Sequence, residues 1–395
     1  MRRNLKYYDY TLIITPLLLT AFGLVMVYSA SMVTAVVEGL ESTYYLERQA
    51  MWFAVGLIGF IITCFIPYQF YQKWIKVIVL AVLAMLIGVL IFGTEVNNAR
   101  SWIRIGSFSI QPAEVAKLAI ILYLAAVYSK KQTYIDKFST GVLPPMILTV
   151  VIVGLIVIQP DIGTASIVFL IACAVIVSSG IRFRHLFLLA LVGILFLALI
   201  APALVTEERI SRFTGAYQPF QTPDTAGYQL IQSYVAIGVG GLTGEGLGQS
   251  VQKLGYLTQA HTDFIMAIIA EELGFVGVVI VIGMLAVIVL RGIFISRKCM
   301  DSFGALLAIG ISCMVGIQAF INLGAISGLL PITGVTLPFI SYGGTSLLIL
   351  LLAMGVLNNV AMQVKKREIE GEEKEESKQL RQINRGGKHG RFKAY

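Results

Sequence analysis

The sequence predicts an all-α, polytopic membrane protein with about ten transmembrane helices and a long extracytoplasmic loop between helices 7 and 8. Of its 395 residues, 57% are apolar and 13% are charged, whereas roughly a quarter of the residues in soluble chains are charged. The apolar residues form repeated stretches close to the length that crosses the hydrocarbon core, about 20 residues. Short basic loops separate these stretches. The bilayer is therefore the expected solvent of the chain.

The first span is predicted near residues 11–32, after a basic cytoplasmic segment at 1–10. It is longer than the core of a signal peptide and is followed by similar stretches, so we expect it to be retained. The other spans are predicted near residues 51–67, 74–93, 113–128, 142–158, 164–180, 185–204, 264–291, 303–328 and 342–363. These spans make up one membrane domain, 11–363. The charged tail at 364–395 is expected to be disordered, since it is too polar to fold alone.

The distribution of charge predicts the orientation of the chain. The net charge is +8, and half of this surplus lies in the tail after residue 364. The other Lys and Arg residues concentrate in alternate loops, which follows the positive-inside rule and places both termini in the cytoplasm. This pattern does not favour nucleic-acid binding, which requires a basic surface that tracks phosphates. The cysteines show neither metal-ligand spacing nor a disulfide framework.

The longest outer loop, about 205–262, is a candidate functional element because it is too long and too rich in glycine for a simple connection. Asp263 follows this loop directly, after His261 and Thr262, where span eight begins. One interpretation is a helix cap, because Asp is a good capping residue. The other is a general base at the mouth of a cavity that opens to the outer face.

Other ionisable residues lie at the predicted outer ends of spans, where charges are costly and often functional. Glu114 and Lys117 are three residues apart on one helix face and either neutralise each other or serve a ligand. In the second case Lys117, with Arg100 or Arg104, offers positive charge to an anionic headgroup. Asp161 lies in the outer turn between spans five and six.

Glu271 and Glu272 lie about 12–13 Å deeper than Asp263 at 1.5 Å per residue. Adjacent helical positions diverge by about 100°, so at most one of the two points at a shared site. We expect each to bond to another span, with proton or cation handling as the alternative. The three histidines are far apart in sequence, so no zinc site is predicted.

These features together are similar to the SEDS family of shape, elongation, division and sporulation proteins, and most of all to its cell-division branch from Gram-positive bacteria. The resemblance covers nearly the whole membrane region. The residues that carry it are 98–102 with Trp102, Gln111, Pro112, Glu114, Lys117, 159–161, Gly163, Thr164, 246–250, 260–264, 271–274 and 328–345 with Ser341.

The resemblance implies a peptidoglycan glycosyltransferase that joins lipid II units on the outer face and releases undecaprenyl diphosphate. It also implies that Asp263 is the catalytic residue and deprotonates the acceptor hydroxyl. A diphosphate leaves without protonation and needs positive charge instead. Lys117, Arg100, Arg104 or a divalent cation would supply this charge, and no organic cofactor is implied.

The same resemblance implies a place at the division septum of the bacterial plasma membrane, beside a class B penicillin-binding transpeptidase and other division proteins. Close paralogues act in elongation or sporulation. Two other functions stay open. A lipid II flippase would require charges along the depth of the bundle, including Glu271 or Glu272. A non-catalytic scaffold for division proteins would tolerate replacement of Asp263.

Overall fold

The fold is an all-α bundle, as predicted. A computed structural model describes residues 5–96, 99–106, 108–131, 138–181, 184–185, 187 and 207–389. The helices are α1 Tyr10–Val37, α2 Tyr44–Phe65, α3 Gln69–Phe92, α4 Pro112–Lys131, α5 Leu143–Ile158, α6 Ile162–Ser178, α7 Glu207–Tyr217, α8 Tyr228–Gly240, α9 Ile265–Lys298, α10 Ser302–Ile326 and α11 Gly344–His389. The strands are β1 Thr94–Val96, β2 Ala99–Ile105 and β3 Phe108–Ile110.

Eight helices in the described part of the chain are long and apolar enough to cross a membrane, and α6 is a shorter apolar helix. The protein is therefore a multi-pass membrane protein. A helix occupies each predicted span except the seventh, near 185–204, nearly all of which lies outside the described residues. The predicted boundaries of several helices were too narrow, since α2 begins at Tyr44 and α9 extends to Lys298. The polar residues at these ends lowered the local hydropathy without ending the helices.

The backbone of α11 is helical as far as His389. The disorder of the charged tail stays a prediction from the sequence. Glu, Lys and Gln have high helix propensity, and the preceding span already provides the nucleus that an isolated helix would have to form.

A small antiparallel sheet in the order β1-β2-β3 connects α3 to α4. The sequence predicted only a connection in this region. The aromatic and β-branched residues Trp102, Ile103 and Ile105 favour a strand, and Gly106, with a φ of 61°, permits the turn before β3.

Helices α4, α10 and α11 form the centre of the bundle, because they bury most of their apolar windows, whereas α3 is largely exposed to the surroundings. A helix that is apolar on all sides is expected to be surrounded by other helices. The exposed apolar side chains of α3, such as Leu80 and Phe92, match a lipid-facing surface.

Two adjacent amides of α11 tie the helices together at the end that carries the basic loops, which we call the basic end. Asn358 bonds the backbone of Asp9 in both directions, at 3.3 and 3.1 Å. Asn359 donates to the Cys64 carbonyl at 2.8 Å and accepts from the Tyr68 amide at 3.0 Å. The opposite end carries residues 207–263, and we call it the loop end.

Midway along its length, at Gly23, α1 packs directly on the backbone of the connection between α10 and α11. A Cβ atom added to Gly23 would lie 2.7 Å from the Ile340 Cα and 2.9 Å from the Phe339 carbonyl oxygen. Backbone atoms cannot move aside as a flexible side chain can. Glycine at this position is therefore a packing requirement.

We predict that Gly23→Ala lowers the free energy of unfolding by about 1–3 kcal/mol, because the added methyl group overpacks this contact. Gly88→Ala is the matched control, since Gly88 is also inside a helix and its Cβ would meet nothing within 4 Å. It should keep or raise stability by up to about 1 kcal/mol. Thermal unfolding in one detergent measures both, and equal losses would contradict the packing argument.

Candidate functional site

Asp263 lies at the loop end, two residues before α9 begins at Ile265. Its backbone carbonyl accepts a 2.7 Å hydrogen bond from the Asn322 side chain of α10. The same Asn322 amide group donates to the Val335 carbonyl at 2.7 Å. One buried amide thus joins the turn before α9, helix α10 and the connection before α11, which fixes the backbone of Asp263.

The Asp263 carboxylate is partly buried and accepts a 2.9 Å hydrogen bond from the Thr262 hydroxyl. Burial raises the pKa of Asp263, while the Thr262 hydroxyl and the charge of Arg212 on α7 oppose this rise. A carboxylate with a raised pKa is a stronger base than an ordinary aspartate, provided that it is ionised.

His261 packs within a cluster of aromatic rings next to Asp263. Its ring centroid lies 4.5 Å from that of Tyr45 on α2 and 5.7 Å from that of Tyr342. The His261 carbonyl also accepts a 2.9 Å hydrogen bond from the Tyr342 amide. The Tyr45 hydroxyl donates to Glu38 at 2.6 Å. This cluster connects α2 to the loop before it, which carries Glu38, and to the turns that carry His261 and Tyr342.

The His261 side chain is neutral near neutral pH. Burial lowers its pKa to about 4, and the nearby charge of Glu38 opposes this shift only in part. Among the described residues, the buried Nδ1 atom of His261 has no hydrogen-bond partner. The ring therefore acts mainly through packing.

Ser341 lies in a turn held by Gln49. The Ser341 hydroxyl accepts from the Leu337 amide at 2.8 Å, and its carbonyl accepts from the Gln49 side chain at 3.1 Å. The Gln49 side-chain oxygen in turn accepts from the Gly343 amide at 3.2 Å. Ser341 is thus a structural part of the turn that presents Tyr342.

Glu114 and Lys117 form the ion pair that the sequence analysis gave as one of two alternatives. Their charged atoms are 2.7 Å apart, and both side chains are buried. The Lys117 ammonium also donates to the Gln318 side-chain oxygen at 3.1 Å. Gln318 donates to the Thr336 carbonyl at 3.1 Å and to the Ser346 hydroxyl at 3.3 Å. The pair belongs to a buried network that joins α4, α10 and α11.

Asp161 caps α6 and links it to α4. One carboxylate oxygen accepts from the Thr164 amide at 3.0 Å, and the other accepts from the Gln111 side chain at 2.7 Å. The contact with Thr164 places the charge of Asp161 at the N-terminus of α6, where negative charge is favourable.

Arg100, Trp102 and Arg104 all lie on β2. Trp102 pairs with Thr94 of β1, and Arg104 pairs with Ser109 of β3. The Arg104 side chain is exposed, and that of Arg100 lies outside the described residues. No contact described here joins Trp102 or Arg104 to Asp263.

Helix α9 is interrupted at Gly274, which has a φ of 65°. The amides of Phe275 and Val276 donate to the carbonyls of Gly241 and Leu242, at 2.9 and 3.2 Å. In an unbroken helix these two amides would bond four residues back. Two carbonyls of a loop segment have therefore replaced the helical acceptors of these two amides.

The same segment binds the carbonyls that the interruption releases. The Glu245 amide donates to the Glu271 carbonyl at 3.0 Å, and the Gly246 amide donates to the Glu272 carbonyl at 3.0 Å. We call residues 241–257 the spliced loop, because its backbone completes the hydrogen bonding of α9 on both sides of Gly274. A half-helix, 265–273, is thereby separated from the rest of α9.

The Glu271 side chain binds the spliced loop directly. It accepts hydrogen bonds from the Ser250 hydroxyl, from the Val251 amide at 2.8 Å and from the Gln252 amide at 3.4 Å. The carboxylate thus lies at the start of a short 3-10 turn, Gln252–Leu254, where backbone amides are otherwise unpaired.

The Glu272 side chain forms a buried ion pair with Lys253 of the spliced loop. The Lys253 ammonium lies 2.7 Å from Glu272, and both side chains are almost fully buried. The Ser29 hydroxyl of α1 donates to the two Glu272 carboxylate oxygens, at 2.7 and 2.9 Å, and accepts from Lys253 at 3.0 Å. This closed triad connects α1, α9 and the spliced loop.

The structure thus brings His261, Asp263 and Ser341 together around one set of loops, whereas Glu271 and Glu272 lie deeper and hold the spliced loop. Three buried amides that position these elements, Gln49, Gln318 and Asn322, were not predicted from the sequence. A signal existed for Gln318 and Asn322, because each is an amide within a predicted apolar span, whereas Gln49 precedes the predicted second span. No group of three His, Cys, Asp or Glu side chains suited to a metal ion occurs within the described part of the chain.

The family profile of the cell cycle proteins of the FtsW, RodA and SpoVE group matches residues 9–366. The chain belongs to this family. A protein of Bacillus subtilis named probable peptidoglycan glycosyltransferase FtsW is 49% identical, over 92% of this chain and 93% of that protein. Stage V sporulation protein E of the same organism is 41% identical, over 89% of this chain and 96% of that protein. The resemblance inferred from the sequence motifs is confirmed.

Solved structures of the FtsW/RodA/SpoVE family agree with the fold. A chain from a peptidoglycan synthase complex that coordinates polymerization and crosslinking aligns with a TM-score of 0.74 and 29% identity, over 90% of this chain and 98% of that one. The crystal structure of the rod shape determining protein RodA from Thermus thermophilus aligns with a TM-score of 0.67 and 30% identity, over 90% and 96% of the two chains.

The environment of His261 predicts a specific pH dependence of stability. The folded protein keeps His261 neutral down to a pKa of about 4, whereas an unfolded chain protonates it near pH 6.5. The unfolded state binds more protons between these values, so stability should fall as pH decreases from about 6.5 towards 4. His261→Phe should reduce this loss, and thermal unfolding at pH 7 and pH 5 measures it.

His261→Ala is the companion variant. It should lower the free energy of unfolding by about 2–4 kcal/mol at pH 7, because it removes a ring from a packed cluster. His261→Phe should keep stability within about 1.5 kcal/mol at that pH. The packing role is refuted if the two variants are equally stable at pH 7.

Proposed function

We propose that the chain is a peptidoglycan glycosyltransferase that joins lipid II units into glycan strands at the extracytoplasmic face during cell division. Relatives that match nearly its full length and are named peptidoglycan glycosyltransferases support this reaction. The observation that carries the site is the Asp263 carboxylate at the loop end, whose pKa is raised by burial.

In the proposed reaction, Asp263 accepts the proton of the acceptor sugar hydroxyl as its oxygen attacks the anomeric carbon of the donor. The bond from that carbon to the diphosphate oxygen breaks, and undecaprenyl diphosphate leaves with the electron pair. Glycosidases protonate a poor leaving group with a second carboxyl, which a diphosphate does not need. Positive charge must stabilise it instead. Arg100, Arg104 or a divalent cation are candidates, and Arg212 joins them because its charge acts on Asp263. Lys117 is no longer a candidate, because it is buried and paired with Glu114.

The orientation and location of the protein belong to the same proposal. Lys6, Lys130 and Lys298 lie at the basic end, which the positive-inside rule assigns to the cytoplasm. The loop end with Asp263 then faces outwards, where lipid II would be polymerised. We place the protein at the division septum because many of its relatives carry the FtsW name.

A class B penicillin-binding transpeptidase is the proposed partner. Support comes from the related chain in a peptidoglycan synthase complex that coordinates polymerization and crosslinking. A transpeptidase would crosslink the strands that this protein makes. Other division proteins would assemble with the pair.

We predict that Asp263→Asn abolishes glycan polymerisation from purified lipid II, since the amide cannot accept the hydroxyl proton. Asp224→Asn is the matched control, because Asp224 is an exposed aspartate of the same outer loop. It should polymerise like the wild type. The assay contains the partner transpeptidase with its own polymerase activity excluded, and gel separation of labelled strands measures the product.

Equal polymer from wild type and Asp263→Asn would reject Asp263 as the base. No polymer from the wild type, in the presence of its partner, would reject the polymerase and favour a flippase, which transport of lipid II in liposomes would test. Loss of polymer in both variants would trace the effect to the loop and not to the carboxylate.

The raised pKa of Asp263 predicts the acid limb of the pH–rate profile. The base must be ionised to act, so kcat/KM should fall as pH decreases through the pKa of the free enzyme. Because burial raises that pKa, the limb should lie above the usual aspartate value of about 3.9. Initial rates measured down to about pH 3.5 locate it. A limb at or below about pH 3.9 would contradict the raised pKa.

A further inference from the structure

The half-helix 265–273 begins beside Asp263 and ends at the interruption at Gly274. The remaining part of α9 cannot fix its direction through continuous helical hydrogen bonds, because the amides of Phe275 and Val276 bond to the spliced loop. Other contacts must therefore hold the half-helix in place. Near its far end those contacts come from the side chains of Glu271 and Glu272.

Lys253 is the charged residue on which these contacts depend. Its ammonium lies 2.7 Å from the Glu272 carboxylate and 3.0 Å from the Ser29 hydroxyl. The Lys253 backbone amide donates to the Ser250 hydroxyl at 3.3 Å. That hydroxyl in turn donates to the Glu271 carboxylate. One residue thus connects both carboxylates of the half-helix to α1 and to the spliced loop.

The depth of the Lys253–Glu272 pair in the bundle is consistent with a fixed structural contact. Glu272 lies 19 residues before Arg291, about 28 Å along α9 at 1.5 Å per residue. Arg291 pairs with Asp9 at 2.7 Å at the basic end. This separation is close to the thickness of the hydrocarbon core, about 30 Å, so the Lys253 pair lies near its outer boundary, inside the protein. There the pair is shielded from water, so the Coulomb attraction between its charges is stronger than in an exposed pair, and loss of one partner leaves an uncompensated buried charge.

We propose that Lys253 is a positioning residue for Asp263: its ion pair with Glu272, completed by the Ser29 hydroxyl, fixes the half-helix that begins beside Asp263 against α1. This inference rests on the proposed polymerase function. Lys253 acts through the backbone and does not touch substrate, since its side chain is about 1% exposed. Lys253 is therefore distinct from the cations that would bind the diphosphate.

Replacing one partner of a buried pair leaves the other charge unpaired, whereas replacing both by apolar side chains of similar volume is often tolerated. This difference distinguishes a residue that positions Asp263 from one that takes part in the reaction. Lys253→Met leaves Glu272 unpaired. The double variant Lys253→Met/Glu272→Leu removes both charges and keeps the volume. Arg291→Met is the control, because it breaks an ion pair of equal length on the other part of α9, where the arginine is partly exposed.

The experiment measures kcat and KM for lipid II polymerisation together with hydrogen–deuterium exchange of peptides that cover 241–257 and 263–273, on the full chain with its partner. For Lys253→Met we expect faster exchange in both peptides, a kcat that falls by about 10–100-fold, and a KM within about threefold of the wild type, because small misplacements of a catalytic group have effects of this size. Arg291→Met should change neither peptide.

The double variant should restore slow exchange and bring kcat back to within about threefold of the wild type, as expected for a positioning role. The proposal is overturned if Lys253→Met keeps the wild-type kcat, if KM rises while kcat stays unchanged, or if the double variant regains slow exchange without regaining kcat. The last two outcomes would assign Lys253 to substrate or to the reaction itself.

Ser29→Ala provides a milder variant in case both Lys253 variants fail to fold. It removes only the bridging hydroxyl, so kcat should decrease by about threefold to tenfold with faster exchange in 263–273. Unchanged exchange and kcat would overturn the proposal. If the wild type makes no polymer, the proposed function fails on its own, and the exchange data still decide whether Lys253 fixes the half-helix.

Discussion

A backbone amide inside a membrane protein has no water to bind, so an interrupted helix is tolerated only where other groups complete its hydrogen bonds. The interruption of α9 at Gly274 satisfies this constraint in a specific way. The spliced loop supplies two carbonyls to the amides that follow Gly274 and two amides to the carbonyls that precede it. The spliced loop is thus part of the folded bundle, and the turn that carries Asp263 depends on it.

The close approach of these backbones explains the glycines in the region. A Cβ atom on Gly244 would lie 2.2 Å from the Glu272 carbonyl oxygen, and one on Gly240 would lie 1.8 Å from the Ala270 carbonyl oxygen. Gly274 itself needs a positive φ, which side chains with a Cβ rarely adopt. The glycine-rich sequence therefore reflects packing against α9 as well as loop geometry. This is why the segment is ordered despite its composition.

The sequence predicted the parts of this structure that depend on local composition. Hydropathy located the spans. Asp263, Asp161 and Glu114 were predicted as candidate functional residues because they are ionisable and lie at the ends of spans. The divergence expected for Glu271 and Glu272 is present, since Glu271 binds Ser250 and Glu272 binds Ser29. The partner Lys253 could not be predicted, because its contact requires the helix to be interrupted at Gly274. The roles of Gln49 and Asn322 also depend on tertiary contacts between loops distant in sequence.

The contacts of the acids at the loop end distinguish Asp263 from the others. Glu114 is paired with Lys117, and Glu272 is paired with Lys253. Asp161 caps a helix, and Glu271 binds three donors of the spliced loop. All four carboxylates are therefore used in contacts that join parts of the bundle to one another. Asp263 instead accepts from a hydroxyl, and its pKa remains raised by burial despite the charge of Arg212. The environment of Asp263 is therefore suited to the uptake of a proton, while the contacts of Glu114, Asp161, Glu271 and Glu272 hold the structure that presents it.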